Sequence, residues 1–201
     1  MSEDPTVITE CSRCPQLVNS RSQIVNASGP IETSLLFVGE APGADEDTEG
    51  KPFIGRSGAV LTDALEEAGV DREDVRITNA VRCRPPDNRN PTQDELGSCK
   101  GYLAKEINVV DPSIVVTLGK VPSEHLLERS IRVTAESGDV DEARIGGGRY
   151  RVVISLHPAA TLYDTSQMST FVETISRAVE LAGMGERSTG QSEGQSALDD
   201  Y

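Results

Sequence analysis

Four apolar runs of strand length divide the chain, at residues 34–38, 75–78, 113–118 and 150–156. Between them lie segments of helical character at about 57–69, 92–108, 119–129 and 167–183. Ser57 opens the first as an N-cap, and the apolar residues after it follow the helical spacing. Thr92 with Glu95 three residues on forms a capping-box pattern behind a Pro-rich loop. Strands alternating with helices predict an α/β fold, a mostly parallel sheet covered on both faces. Asp139 to Gly148, acidic and then a glycine triplet, reads as a surface loop or hairpin turn. From Gly185 onward the Ser/Gly/Gln/Glu-rich sequence lacks the apolar residues a core needs. The expected organisation is one domain over residues 1–184 and a disordered tail over 185–201.

Composition narrows the class. The chain has 201 residues, enough for one domain with a full core, although only 36% are hydrophobic and 3% aromatic. No run has the length of a membrane span, and Met1-Ser2-Glu3-Asp4 lacks the basic and apolar regions of a signal peptide. A soluble, cytoplasmic protein is therefore expected, without a membrane partner. The net charge of −14 is the opposite of what a nucleic-acid binder usually carries. The deficit is uneven, however. Residues 51–105 hold nine Lys/Arg and nine Asp/Glu, and the stretch 76–92 holds four Arg against Asp87 alone. Only four of the 19 basic residues are Lys, a balance like that of proteins from salt-adapted, halophilic cytoplasms.

Candidate chemistry gathers at the strand ends. Leu35-Leu36-Phe37-Val38 stops at Gly39, and Pro42 and Gly43 then turn the chain into a tight loop. Such a junction places Glu40 at the carboxyl edge of the sheet, where open α/β folds bind ligands, with Phe53 a short loop later. Cys11 and Cys14 make a C-x2-C pair, and Cys83 and Cys99 complete a set of four thiols. That spacing admits three readings: an iron–sulfur cluster, a zinc site and plain buried thiols. The cluster tolerates the long gaps best, and it would clip the amino-terminal segment to the Arg-rich loop.

The order of four motifs is more specific than any one of them. Gly39-Glu40-Ala41-Pro42-Gly43 is followed by Gly50-Lys51-Pro52-Phe53-Ile54-Gly55, then Thr78-Asn79-Ala80-Val81-Arg82-Cys83-Arg84-Pro85-Pro86, then His157-Pro158-Ala159. Together with the four cysteines, this series resembles the family 4 uracil-DNA glycosylases over roughly residues 8–183. The resemblance implies a three-layer α/β/α sandwich with a central parallel four-stranded sheet. It implies a structural four-iron four-sulfur cluster on Cys11, Cys14, Cys83 and Cys99. It also implies removal of uracil from DNA, leaving an abasic site for downstream repair enzymes, by an enzyme expected to be a monomer.

Residue by residue, the resemblance makes Phe53 a stacking platform for a flipped base and Asn79 the reader of the uracil edge. An amide supplies the donor and acceptor such reading needs. His157 is placed to donate to the departing uracil oxygen. Glu40 and Ala41 belong to the substrate loop. The better-known uracil glycosylases carry an Asp where Ala41 stands, so Glu40 is the first candidate to orient water, with Glu46 and Asp47 behind it. Asn88 is equally a supporting residue and a turn former. Arg82, Arg84 and Arg89 are the expected phosphate contacts, although Arg82 or Arg84 could pack against the cluster instead. His125, in a predicted helix beside Leu126 and Leu127, reads as structural. No catalytic Lys is evident, so a Schiff base is not expected. The competing reading is a non-catalytic iron–sulfur or zinc module that binds damage.

Overall fold

The computed structural model describes residues 4–185. In chain order the first half forms α1 (Pro15–Ser20), β1 (Leu35–Gly39), α2 (Ala44–Glu49), α3 (Arg56–Glu67), β2 (Arg76–Asn79) and α4 (Gln93–Val110). The second half forms β3 (Ile114–Leu118), α5 (Lys120–Leu127), β4 (Val140–Ile145), β5 (Gly148–Ser155), α6 (Pro158–Tyr163) and α7 (Met168–Leu181). The sheet order is β2-β1-β3-β5-β4. The first four of these strands run parallel, and β4 pairs antiparallel with β5. The expected four-stranded parallel sheet is thus present, with a fifth strand on its edge.

That fifth strand lies in the segment read as a loop or turn. Asp141, Glu142 and Arg144 make it look solvated, and an edge strand with one open face tolerates such charges. A two-residue turn joins β4 to β5, with Gly146 at φ 56° and Gly147 at φ 94°. Tight hairpins need positive φ at both central residues, which glycine adopts freely.

Alternation along the strands builds the layers. Leu35 and Phe37 of β1 face a core shared with Leu61 and Leu65 of α3 and Phe171 and Ile175 of α7. Leu36 and Val38 face the opposite core, with Leu96, Leu103 and Ile107 of α4, Leu126 of α5 and Leu17 of α1. The architecture is a three-layer α/β/α sandwich. Its strands β1, β2, β3 and β5 all end at one edge, so Gly39, Asn79, Gly119 and the residues after Ser155 meet there. Among the described residues, no helix is long and apolar enough to cross a membrane.

The amino-terminal segment is fastened to this sandwich by hydrogen bonds. Ser28 makes a β-bridge to Ile77, Val25 N–H donates to the Arg82 carbonyl at 2.8 Å, and Asn26 holds Ile8. Arg76 of β2, 3% exposed, donates to Asp4, Thr6, the Gly29 carbonyl and Glu106 of α4. Of the tail expected over 185–201, all but Gly185 lies outside the described residues.

Candidate active site and thiol site

A cavity of about 170 Å³ opens at the carboxyl edge of the sheet, lined by Ala41, Gly43, Glu46, Phe53, Ser57, Asn79 and His157. The structure therefore brings together Ala41, Phe53, Asn79 and His157, four of the residues expected from the sequence. Asn79 ends β2 opposite Gly39 of β1, and its buried side-chain amide makes no hydrogen bond among the described residues. Donor and acceptor are both left for a ligand. Gly39 is what allows this: a Cβ there would run into Asn79 Oδ1 and the Phe53 ring. Phe53 takes the left-handed conformation, φ 52°, which is uncommon for a bulky residue and marks a position held by its surroundings. Its ring centre lies 5.8 Å from that of His157, tilted by 34°.

His157 follows β5 and caps α6. Its Nδ1 accepts the Ala159 N–H at 3.1 Å, so the proton of the neutral ring resides on Nε2. Burial lowers its pKa to about 4, with the Glu46 charge pulling the other way. His157 is consequently a neutral donor through Nε2 at physiological pH.

The acidic residues separate into distinct tasks. Glu46 belongs to α2 and accepts N–H bonds from Gly43 at 3.1 Å and Gly55 at 3.3 Å, tying the two loops that form the cavity wall. Asp47 is 1% exposed and accepts twice from Ser22 N–H, at 2.8 and 3.0 Å. Its carboxylate is spent on the amino-terminal segment, which corrects its reading as a water-orienting candidate. Glu40 is half-buried, and desolvation raises its pKa. Its carboxylate makes no hydrogen bond among the described residues, and it sits between Gly39 and the cavity residue Ala41. Ser57 is the cavity residue the sequence missed. It reads as an N-cap, whereas Gly55 takes that position and Ser57 lies in the first turn of α3.

The Arg-rich stretch also divides. Arg82 is 2% exposed and paired with Glu106 at 2.8 Å, so it reaches no phosphate; this corrects the expectation of a DNA contact there. Arg89 lies at the surface, but Glu95 holds it through two bonds of 2.7 and 2.8 Å. Arg84 donates to Asn88 Oδ1 at 2.8 Å, on a loop where Asp87 and Asn88 both have positive φ. His125 stands in α5, outside the cavity, its Nε2 buried without a partner among the described residues.

The four cysteines are free thiols. Burial raises Cys83, with Arg21 opposing and the neighbouring Cys11 and Cys14 adding to the rise. Burial likewise pushes Cys99 up to about 11, against the pull of the Arg82 backbone N–H and charge, with Cys83 and Cys14 close by. All four thus share one electrostatic neighbourhood, set between α1, the loop after β2 and α4.

Comparison with known proteins follows the same lines. The sequence model of the uracil DNA glycosylase superfamily matches residues 27–179. A Type-4 uracil-DNA glycosylase of Pyrobaculum aerophilum is 41% identical over 160 residues, covering 78% of this chain and 81% of the relative. One from Archaeoglobus fulgidus is 34% identical over 180 residues, 88% and 90% of the two chains. A Type-5 uracil-DNA glycosylase of Pyrobaculum aerophilum is 30% identical over 210 residues, 88% and 91% of the two.

Proposed function

The chain belongs to the uracil-DNA glycosylase superfamily, and on that footing we propose that it is a DNA-repair glycosylase that hydrolyses the N-glycosidic bond of deoxyuridine. It releases uracil and leaves an abasic site. The observation that carries the reading is one cavity in which an unpartnered amide, an aromatic ring and a neutral imidazole donor converge, at Asn79, Phe53 and His157.

A base inside a duplex hides the edge that distinguishes uracil from cytosine, so the nucleotide must be flipped out. Phe53 offers its face to the flipped ring, and the Asn79 amide pairs with the uracil edge. As the bond to the sugar breaks, electrons move onto uracil and the sugar becomes cationic. His157 Nε2–H donates to the uracil oxygen where that negative charge develops. Glu40, whose carboxylate has no hydrogen-bond partner among the described residues, orients the attacking water and faces the developing cation. Glu46 acts by holding Gly43 and Gly55 in place. Among the cations of the Arg-rich loop, Arg84 and Arg89 serve the phosphates, Arg89 only as far as Glu95 releases it.

Cys11, Cys14, Cys83 and Cys99 hold a four-iron four-sulfur cluster in this reading. The donor set fits: four thiols of one neighbourhood, flanked by guanidinium groups of Arg21 and Arg82. Among the described residues, no group of three or more His, Cys, Asp and Glu is placed to hold a metal ion. Glycosidic hydrolysis transfers no electrons, so the cluster's contribution is to cross-link the amino-terminal segment to the loop after β2 and to α4. We read the enzyme as a cytoplasmic monomer whose abasic product passes to abasic-site repair enzymes.

The deciding experiment incubates the protein with uracil-containing DNA and a thymine control. Free uracil and alkali-labile sites should form only from the first. Binding of uracil-DNA without release of the base would favour a non-catalytic damage-binding module. Iron and sulfide analysis with the visible spectrum tests the cluster, and stoichiometric zinc with no visible absorbance would overturn it.

A further inference from the structure

Arg21 touches the thiol site and Arg82 lies close enough for its charge to act on Cys99, and neither is a ligand. Arg21 donates from Nη1 to Cys83 Sγ at 2.9 Å and from Nη2 to the Cys11 carbonyl at 2.7 Å, so one guanidinium spans two of the four cysteine residues. Arg82 immediately precedes Cys83 and turns its side chain into the core. Its Nη2 donates to Glu106, while Nε and Nη1 are shut off from solvent and have no partner among the described residues. A buried cation with two unused donors is rare in folded proteins, because each unmade bond costs its desolvation. Its neighbour Cys99 lies close enough to feel the Arg82 charge and backbone N–H.

The rest of the network explains why Arg82 stays put. Glu106, fully buried, accepts from Arg82 on one oxygen and from Arg76 on the other, at 2.8 and 2.7 Å. Arg76 in turn reaches Asp4 at 2.5 Å and Thr6 at 2.9 Å. A chain of alternating charge therefore runs from the amino-terminal segment through the core to Arg82, the residue before Cys83. Buried charges are kept only when paired, and at its inner end this chain has surplus donors and no acceptor.

A cluster held by four thiolates carries net negative charge and presents sulfur acceptors, which is what that end lacks. We propose that Arg21 and Arg82 are the charge-balancing positioning residues of the thiol site, donating to its sulfur atoms, with Arg82 held in place by the Glu106–Arg76–Asp4 chain. The inference rests on the cluster reading of the four cysteines. Hydrogen bonds to the sulfurs and nearby positive charge set a cluster's reduction potential and its retention.

Four variants of the full chain test it: Arg21→Met, Arg21→Lys, the double change Arg82→Met with Glu106→Gln, and Arg149→Met as a control. Arg149, at the start of β5, is exposed and pairs with surface Glu142. The double variant removes the buried cation without leaving its carboxylate charged, and the amide oxygen introduced by Glu106→Gln still accepts from Arg76. Each is reconstituted with iron and sulfide. The reduction potential is then measured by film voltammetry, and loss of visible absorbance is followed in the presence of an iron chelator. Removing a cation disfavours adding an electron, so both test variants should show a lower potential than wild type. Both should also bleach faster, on the order of tenfold. Arg149→Met should match wild type, and Arg21→Lys should recover part of the potential. Because Arg21 is partly exposed, its arm decides the matter if the buried double variant does not fold. Potentials and bleaching rates equal to wild type in the test variants would overturn the inference while leaving the cluster intact. A wild-type chain that takes up no iron would instead overturn the cluster reading itself.

Discussion

His157 owes its neutrality to its burial, and the Ala159 N–H on Nδ1 leaves the single proton on Nε2. Loss of one preorganised donor to a developing anion costs on the order of 10²–10³ in rate. Single-turnover excision by His157→Ala should fall by that factor with uracil-DNA binding retained; unchanged turnover would make the residue structural. The same residue leaves a pH signature. Its folded pKa of about 4 lies below the ordinary 6.5, so the unfolded chain takes up a proton that the native state refuses. Stability is therefore full above pH 6.5 and is lost as pH falls toward 4, by about 3 kcal/mol in all. Urea unfolding of His157→Asn should show a shallower loss over that window than wild type. Glu40 has the opposite sign. Its pKa is raised, so ionisation at neutral pH works against the folded state. Glu40→Gln should raise the unfolding midpoint at pH 7 while slowing uracil release, the mark of a carboxylate kept for chemistry. A midpoint at or below wild type would remove that argument.

At the scale of elements, the site exists because three strand ends and two loops meet, and Gly39 is the tightest point of the meeting. Gly39→Ala should displace Asn79 and Phe53. Because β1 is otherwise unaltered, excision should drop further than stability does. Kinetics at wild-type level, alongside a folded circular dichroism spectrum, would show that the amide and ring tolerate the shift. The parallel strands are legible in the sequence because strands covered on both faces read as continuous apolar runs. Edge strand β4 is not, since half its positions face water and carry charge. Short helices such as α2 and α6 leave too few turns for a period to register. The motif residues Phe53, Asn79 and His157 are visible one by one, yet the part played by Glu46 is not, because its bonds to Gly43 and Gly55 link separate loops. Arg82 misleads for a related reason: its partner Glu106 lies 24 residues away, and an arginine in a basic stretch looks exposed until that partner is placed.

The whole molecule carries a charge of −14 and still has to approach a polyanion. The Arg-rich stretch offers less than its composition suggests. Arg76 and Arg82 are consumed in the core, and Arg89 is clasped by Glu95. Arg84 is left as the cation of that stretch bound, among the described residues, only to a neutral side chain. Counterion release scales with the number of phosphates neutralised, about 0.9 per contact on duplex DNA. The affinity of this enzyme for DNA should therefore fall with salt by a slope of only about two or three, shallower than a basic-surfaced binder shows. Arg84→Ala should reduce that slope by about one and weaken all sequences alike, whereas the buried Arg82 should have no part in it. The acidic excess acts on folding in the other direction. Its self-repulsion reaches about 10 Å at 0.1 M salt and about 3 Å at 1 M, so screening relieves the native state. The reading of a salt-adapted protein then has a measurable form: the thermal unfolding midpoint should rise as potassium chloride increases across that range, and uracil release should persist at the upper end. A steep salt slope for binding, or a midpoint that falls with added salt, would remove the argument from charge and leave the acidic surface without a role.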